Sequence, residues 1–280
     1  MTIPDASKTA RGVALLRAAH RIIDDQPPLL DDSIIGRLLG ADTEQRIRDQ
    51  EEQLQTPVMR GLRSHVLLRG RFAEDALAHA VTVGIRQYIV LGAGLDTFAY
   101  RQPAWASRVA IVEVDQPATQ KAKRAALAAA EISVPSNVRY ADIDFERETL
   151  AAGLERCGVA MDAPSFFSWL GVTVYLTRDA IEAVSRTVAS FPSGSTMVLT
   201  FTQPRGEGDR ARAELAEGAE AVGEPWLSYF TPDEIEALLR DAGFSSVAFL
   251  ERKDAMLRYY AGRPDGLVAP RHVSIVSATV

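Results

Sequence analysis

The sequence predicts an α/β fold, in which a doubly wound, mostly parallel sheet follows a layer of helices. Two observations lead to this prediction. Short apolar runs and helical patterns alternate from residue 87 onward, as they do in a parallel sheet with helices on both faces. In addition, the apolar run at 88–91 leads directly into glycines at 92 and 94, which is typical of a buried strand that ends in a tight ligand-binding turn.

The elements can be placed in order along one domain of residues 1–280. We divide it into a helical cover at 1–85, a cofactor-binding core at 86–202, a lid-like insertion at 203–230 and a C-terminal part of the core at 231–280. Apolar spacing predicts cover helices over 9–23, 31–39 and 59–83, whereas the charged stretch 42–55 is either a solvated helix or a mobile loop. The insertion is either a lid over the substrate or a plain surface excursion.

Seven strands and their connecting helices are predicted after the cover. The strands fall at 88–91, 109–114, 138–141, 165–170, 197–201, 247–250 and 273–278, with helices at 117–131, 146–154, 178–190, 211–221 and 231–243. Lys121, Lys123 and Arg124 are expected on the solvated side of the first of these helices. The connection 251–272 has little helical pattern, which allows a final antiparallel pair of strands.

Composition limits the class of partner. The chain has 280 residues, 47% of them hydrophobic and 24% charged, and a net charge of −6, which argues against a broad nucleic-acid or membrane-surface footprint. Its one cysteine excludes an internal disulfide, and the four histidines show no metal-ligand spacing. No secretory leader or membrane-spanning run is visible, so we expect a cytoplasmic protein without a metal.

The glycine turn indicates a nucleoside cofactor. Gly92, Ala93 and Gly94 let the backbone turn tightly beside a ligand, and the residues after them can open a helix whose N–H groups face that ligand. About 20 residues further on, Glu113 and Asp115 end the second apolar run. A carboxylate at that place on the neighbouring strand can accept hydrogen bonds from a ribose diol.

The identity of the nucleoside depends on the residues next to the turn. Thr97 stands where a dinucleotide fingerprint has its third glycine, and Asp96 precedes it. A carboxylate repels a pyrophosphate but suits the sulfonium and amino group of S-adenosylmethionine. We therefore favour the methyl donor; a nicotinamide dinucleotide and a glycine turn without any ligand are the alternatives.

Two further places offer cofactor contacts. Asp144 follows the third predicted strand and could hold the exocyclic amine of an adenine, with Phe145 against the ring. The alternative for Asp144 is an N-cap of the next helix. On the long cover helix, Arg69 or Arg71 could bind a carboxylate in bidentate geometry, and the alternative is a solvated arginine without a ligand.

Six stretches together resemble the S-adenosylmethionine-dependent methyltransferases of the leucine carboxyl methyltransferase group, most closely its bacterial small-molecule and polyketide branch. They are RSHVLLRGRFAEDAL at 63–77, QYIVLGAGLDTFAYR at 87–101, VEVDQPATQKAKR at 112–124, YADIDFE at 140–146, SWLGVTVYLT at 168–177 and GEPWLSYFTPDEIEALLRDAGF at 223–244. The resemblance implies a class I methyltransferase fold, Rossmann-like, with a seven-stranded, mostly parallel sheet and an N-terminal helical cover. It implies S-adenosyl-L-methionine as cofactor and a small-molecule methyl acceptor, in a monomer or homodimer.

The resemblance also implies a donor site. By position, Arg69 matches the arginine that holds the methionine carboxylate, Asp115 matches the ribose acid, and the remaining matches are Gly92, Ala93 and Gly94 in the glycine loop and Asp144 and Phe145 at the adenine. Two residues depart from the pattern. Leu170 replaces an acid often found near the methionine amine, and Phe98 replaces a frequent arginine, which weakens the case for a carboxylate-binding acceptor site.

The expected reaction is O-methylation of a carboxylate or hydroxyl. A carboxylate is ionised at pH 7 and needs no general base, whereas a phenol with a pKa of about 10 would benefit from one. His65 is the histidine nearest to a cofactor motif, but the sequence assigns no catalytic residue. Tyr175, Trp226 and Tyr229 are candidates for the substrate pocket. The functional alternatives are an NAD(P)-dependent oxidoreductase and a non-catalytic homologue that only binds the donor.

Overall fold

A computed structural model describes residues 7–24, 26–145, 147–204, 206 and 210–280. A seven-stranded sheet lies at its centre, with the strand order β3-β2-β1-β4-β5-β7-β6. The strands are β1 (Gln87–Leu91), β2 (Ala110–Asp115), β3 (Val138–Asp142), β4 (Phe166–Trp169), β5 (Thr196–Thr200), β6 (Ser246–Phe249) and β7 (Ile275–Thr279). Strands β1 to β5 pair in parallel, and β7 runs antiparallel to both β5 and β6. The predicted class I α/β sheet with a final antiparallel pair is therefore confirmed.

Eleven α-helices surround this sheet in the part of the chain that the structure describes. They are α1 (Lys8–Ile23), α2 (Ile35–Leu39), α3 (Thr43–Asp49), α4 (Glu51–Leu54), α5 (Pro57–Thr82), α6 (Pro117–Ala129), α7 (Leu150–Arg156), α8 (Arg178–Ala189), α9 (Arg210–Ala221), α10 (Pro232–Ala242) and α11 (Arg252–Ala255). Helix α10 begins with a capping box between Thr231 and Glu234, and it ends at Gly243 in the left-handed conformation, within the bounds predicted for it. A short π-helical turn, Met256–Tyr260, continues α11.

The cover is made of α1 to α5. Its helices pack on one another around a buried apolar cluster that includes Leu16, Ile35, Ile47 and Leu54. The charged stretch 42–55 forms two short helices, because Ile47 and Leu54 are each almost fully buried in that cluster. None of the helices in the described ranges combines the length and the apolar character needed to cross a bilayer.

Two local expectations are wrong. The residues after the glycine turn do not open an α-helix; they form short 3₁₀ turns at Phe98–Tyr100 and Ala104–Arg108. The helix expected over 146–154 begins only at Leu150, because Thr149 is its N-cap and accepts a hydrogen bond from the N–H of Ala152.

A third correction concerns Lys123, which was expected on the solvated side of α6. It is almost fully buried, and its ammonium lies 2.7 Å from the carboxylate of Glu113 on β2. Tyr100 donates a second hydrogen bond to the same carboxylate, at 2.7 Å. A buried charge is tolerated when it is paired and hydrogen-bonded, so Lys123 joins α6 to the sheet.

Candidate active site

A cavity of about 1650 Å³ lies between the sheet and the cover. Its floor is formed by the carboxyl ends of β1, β4 and β5, and its walls include α1, α5 and α9. In open α/β sheets, ligands bind in the crevice outside the carboxyl ends of the strands. The topology therefore places the predicted glycine turn and the cover helices around one space.

The glycine turn is tightly folded at the end of β1. Gly92 and Gly94 have φ angles of 65° and 46°, a region that glycine adopts without a steric penalty. A methyl group at Gly92 would overlap the side chain of Val172. The N–H of Ala93 donates to the carbonyl of Val114 at 2.9 Å, which ties the turn to β2. Gly92, Ala93 and Gly94 all line the cavity.

Asp115 ends β2 beside this turn and lines the cavity. One carboxylate oxygen accepts from the N–H of Gly94, and the other accepts from the N–H of Gln116 at 2.7 Å. Burial raises the pKa of Asp115, while these hydrogen bonds and the charge of Lys123 oppose the rise. Glu113, the other predicted candidate, lies in the core with Lys123. Of the two acids on this strand, Asp115 is the one that faces the cavity.

The arginines of α5 differ in whether they face the cavity and in whether another residue binds them. Arg71 is directed away from the cavity and donates to Asp75 at 2.9 Å. Arg63 is buried in a bidentate pair with Asp24, at 2.7 and 2.8 Å. Arg69 lines the cavity and makes no hydrogen bond or ion pair with any residue that the structure describes.

The guanidinium of Arg69 lies against Gly171, just after β4. Burial lowers the pKa of Arg69 to about 10, which still leaves it charged at neutral pH. Arg69 is thus a cation that faces the cavity without a partner among the described side chains.

Thr97, in the position of the missing third glycine, is fully buried and joins the turn to the cover. Its hydroxyl donates to Asp32 at 2.7 Å and accepts from Arg17 at 2.9 Å and from Arg101 at 3.1 Å. Arg17 lies on α1, so this network fixes the N-terminal helix to the glycine turn. Asp96, the residue before Thr97, lines the cavity.

The two residues predicted at the adenine differ in position. Phe145 lines the cavity and contacts Trp169, with ring centroids 6.4 Å apart and planes at 64°. Asp144 lies outside the cavity lining, and its carboxylate is 3.5 Å from Nε of Arg147. Its alternative role as the N-cap of the next helix is wrong, because Thr149 occupies that place.

A second group of polar side chains lines the cavity beyond Arg69. His65 lies one turn earlier on α5 and makes no hydrogen bond to a described residue; burial and the charges of Arg69 and Arg212 lower its pKa to about 3. Arg212, on α9, donates to the carbonyls of Gln203 and Pro204 at 2.9 and 3.2 Å. The neutral imidazole and this guanidinium therefore share one wall.

Only some of the aromatic candidates for the substrate pocket line the cavity. Tyr175 and Trp226 line the cavity, whereas Tyr229 lies outside its lining. Phe98 is buried against Tyr88, with ring centroids 5.5 Å apart, so its departure from the family pattern does not affect the cavity wall.

Glu224 is a contact that the sequence analysis missed. It follows α9, and its carboxylate accepts from the hydroxyl of Ser7 and the N–H of Lys8, each at 2.7 Å, and from the hydroxyl of Thr9. These groups form the N-terminus of α1, where an anion is favoured by the free N–H groups. Helix capping by Ser7 could be read from the sequence, but a partner 217 residues away could not.

Comparison with known families agrees with this geometry. The model of the family described as leucine carboxyl methyltransferase matches residues 10–189. The chain belongs to the leucine carboxyl methyltransferase family. As a member, it is a methyltransferase that uses S-adenosylmethionine as methyl donor. The predicted family is therefore confirmed, and the alternative of a nicotinamide-dependent oxidoreductase is wrong.

Individual relatives agree with the family match. YktD of Bacillus subtilis, named as a candidate S-adenosyl-L-methionine-dependent methyltransferase, is 32% identical over 217 residues, which cover 76% of this chain and 71% of YktD. A Mycobacterium tuberculosis protein of the same designation is 32% identical over 225 residues, which cover 76% of this chain and 62% of that protein. The chain thus spans a little under two thirds of the mycobacterial relative.

Solved structures support the fold. A DUF574 family protein from Streptomyces avermitilis superposes with a TM-score of 0.58 at 19% identity, covering 99% of this chain and 98% of that one. A protein from Thermobifida fusca named as a candidate methyltransferase gives a TM-score of 0.56 at 20% identity, covering 87% and 91% of the two chains. At such identities the likeness extends to the architecture alone.

Proposed function

We propose that this methyltransferase transfers the methyl group to an oxygen atom, a carboxylate or a hydroxyl, of a small molecule. The observation that supports the proposal is the continuity of the cavity. The same cavity is lined by the glycine turn, Asp115 and Arg69 and by the neighbouring side chains of His65 and Arg212. Donor and acceptor can therefore lie in one space, as an in-line displacement requires.

The donor end has the chemistry that S-adenosylmethionine needs. Arg69 is a cation without a partner among the residues that the structure describes, which suits the methionine carboxylate. Asp115 is held beside the turn by two backbone N–H groups and lines the cavity, which suits a ribose diol. The full set that we assign to the donor is Arg69, Gly92, Ala93, Gly94, Asp115, Asp144 and Phe145.

When bound, the donor supplies an electrophilic methyl group on a sulfonium, and the residues of the chain hold and orient the reactants. Orientation alone can lower the barrier of such a reaction by roughly 7–11 kcal/mol. Asp144 lies outside the cavity lining, so its contact with an adenine requires the side chain to leave Arg147. Phe145 offers an apolar face toward the same end.

A carboxylate acceptor is the form that the side chains of Arg212 and His65 favour. Arg212 is a cation on the cavity wall, and a guanidinium can bind a carboxylate through two hydrogen bonds. His65 remains neutral at pH 7, because its pKa is lowered to about 3, so it is a weak base for removing a proton from a phenol. A carboxylate needs no such base.

The acceptor's size follows from the cover. Helix α9 and Glu224 extend over the cavity, and Glu224 bonds to the N-terminus of α1. We therefore assign the segment 203–230 a lid role, in which this contact opens to admit the acceptor and product leaves by the same route. A cavity bordered by such a segment suits a small molecule better than a folded protein.

The test is a transfer assay with donor labelled in its methyl group, run against panels of small carboxylic acids and of phenols. Products are then treated with mild alkali. A methyl ester releases volatile labelled methanol, whereas a methyl ether keeps its label. Alkali-labile product from the acids is the expected result. Label that is transferred only to nitrogen or sulfur of an acceptor would contradict O-methylation.

A further inference from the structure

Beneath the glycine turn, two charge pairs leave one carboxylate in excess. Arg17 lies 2.6 Å from Asp32, and Arg101 is bidentate to Glu74, so these four side chains neutralise one another. Asp96 is the fifth charged member of the cluster, and its nearest cation is Nη1 of Arg17, at 3.6 Å. That arginine is already committed to Asp32. The cluster therefore carries an uncompensated negative charge at Asp96.

One oxygen of Asp96 remains available. Oδ1 accepts from the N–H of Phe98 at 2.8 Å, whereas the contact of Oδ2 with Arg17 is longer than a hydrogen bond. The side chain is 27% exposed and lines the cavity. Burial alone would raise the pKa of Asp96, but the charges of Arg17, Lys123 and Arg101 lower it overall, so the group is an anion at neutral pH.

The other carboxylates that line the cavity in the described ranges are occupied. Both oxygens of Glu74 are bonded to Arg101, and both oxygens of Asp115 accept backbone N–H groups. Glu224 is bonded to the N-terminus of α1. Asp96 is therefore the acid at the donor end with an oxygen free to accept from a ligand.

Arg69 faces the same end of the cavity with the opposite charge. Both residues line the same cavity, and burial lowers the pKa of Arg69 while the charges of Tyr175 and Asp96 oppose that effect. Arg69 and Asp96 are nevertheless more than an ion-pair distance apart, since no bridge of 4.0 Å or less joins them. A cation without a partner among the described residues and a carboxylate whose Oδ2 accepts no hydrogen bond from them thus line one space.

We propose that Arg69 and Asp96 together bind the two charges of the donor's methionine end, the carboxylate at Arg69 and the ammonium at Oδ2 of Asp96. This inference rests on the proposed function of the donor end. A zwitterion satisfies both groups at once and adds no net charge to a partly buried site, which a phosphate or a simple cation would do.

The test compares three ligands by calorimetry. S-adenosylhomocysteine has both charges, S-adenosyl-3-thiopropylamine retains the ammonium alone, and 5′-methylthioadenosine has neither. Asp96→Asn is expected to lower the affinity for S-adenosylhomocysteine and for S-adenosyl-3-thiopropylamine by about tenfold or more, which is the typical effect of losing a hydrogen bond to a charged group. The affinity for 5′-methylthioadenosine should stay within about twofold. Arg69→Met is expected to lower the affinity for S-adenosylhomocysteine but not for the other two ligands, which lack the carboxylate.

The unchanged affinity for 5′-methylthioadenosine serves as the folding control, and Asp75→Asn, on the outer side of α5, is the matched charge control. Equal losses for all three ligands in Asp96→Asn, or no loss for S-adenosylhomocysteine, would overturn the role of Asp96. If the unaltered protein bound neither S-adenosylhomocysteine nor 5′-methylthioadenosine, the assignment of the cavity as a donor site would be wrong. That result is distinct from the failure of the role of Asp96 alone.

Discussion

Gly171 makes room for Arg69. A methyl group on the α-carbon of Gly171 would lie 2.5 Å from Nη1 and 2.6 Å from Nη2 of the arginine. Gly171 also has a φ of 73°, a conformation that disfavours other residues. The loop after β4 therefore fixes the position of the one α5 arginine that faces the cavity unpaired among described residues.

Replacing Gly171 with Ala should displace the guanidinium of Arg69 and lower the affinity for S-adenosylhomocysteine at least tenfold, which corresponds to about 1.4 kcal/mol. Calorimetry measures this loss directly. Gly194→Ala is the control, because Gly194 has a φ of 91° but no atom within 4 Å of an added methyl group, and it lies away from the cavity. If both variants lost affinity equally, backbone strain would explain the effect and the contact with Arg69 would not.

The sequence predicted most of the fold because its signals are local. The apolar runs, the glycine turn and the start of the helix at residue 231 are each set by a few neighbouring residues, and each is found where expected. Lys123 was misplaced because its partner, Glu113, belongs to another element and its burial depends on that pairing. The 3₁₀ turns after the glycines likewise follow from tertiary contacts of Thr97, which no local pattern indicates.

The candidate site shows the same division. Arg69 and Arg71 are two residues apart on one helix, so they point about 200° apart around its axis. Their sequence context is nearly identical, and only the docking of α5 on the sheet decides which one faces the cavity. The contact of Glu224 with α1 and the excess of negative charge at Asp96 could not be predicted from the sequence either, because each arises between segments that are distant along the chain.

Asp115→Asn should lower the affinities for S-adenosylhomocysteine and for 5′-methylthioadenosine by the same factor, about tenfold. Both ligands have the ribose diol, and an amide oxygen is a poorer acceptor than a carboxylate oxygen. Competition calorimetry gives both affinities. The similar losses would distinguish this residue from Asp96, whose replacement should spare 5′-methylthioadenosine. Unchanged affinity for both ligands would mean that Asp115 does not contact the ribose.

His65→Gln should flatten the dependence of stability on pH. The folded pKa of His65 is lowered to about 3 from an ordinary value of 6.5. Between these values the unfolded chain binds a proton at this site and the folded protein does not, so His65 lowers the free energy of unfolding as pH falls below 6.5. Between pH 7 and 4.5, the variant should lose about 2.5 kcal/mol less stability than the unaltered protein, because each pH unit below 6.5 costs about 1.4 kcal/mol while the folded site stays unprotonated.

Urea unfolding at several pH values measures this difference. His79→Gln is the matched control, because His79 is an exposed histidine on the same helix. A variant at position 65 with the same pH dependence as the unaltered protein would show that the folded environment of His65 does not oppose protonation. In the transfer assay, the pH profiles of the unaltered protein and of His65→Gln should accordingly agree around pH 6.5, because His65 does not titrate there in the folded protein.

Glu224→Gln should speed the release of bound S-adenosylhomocysteine by about two- to fivefold, because the contact of an anion with a helix N-terminus contributes roughly 0.3–1 kcal/mol. The hydrogen bonds from Ser7, Thr9 and the N–H of Lys8 lower the pKa of Glu224, although burial opposes them, so the contact is ionic at neutral pH. Gln keeps the size of the side chain but loses the charge that holds α9 to α1. Stopped-flow displacement of the ligand measures the rate, and Glu220→Gln, exposed on α9, is the control. A release rate that stays the same in both variants would show that this contact does not gate the cavity, since an opening step that limits release must accelerate when its closed state is destabilised.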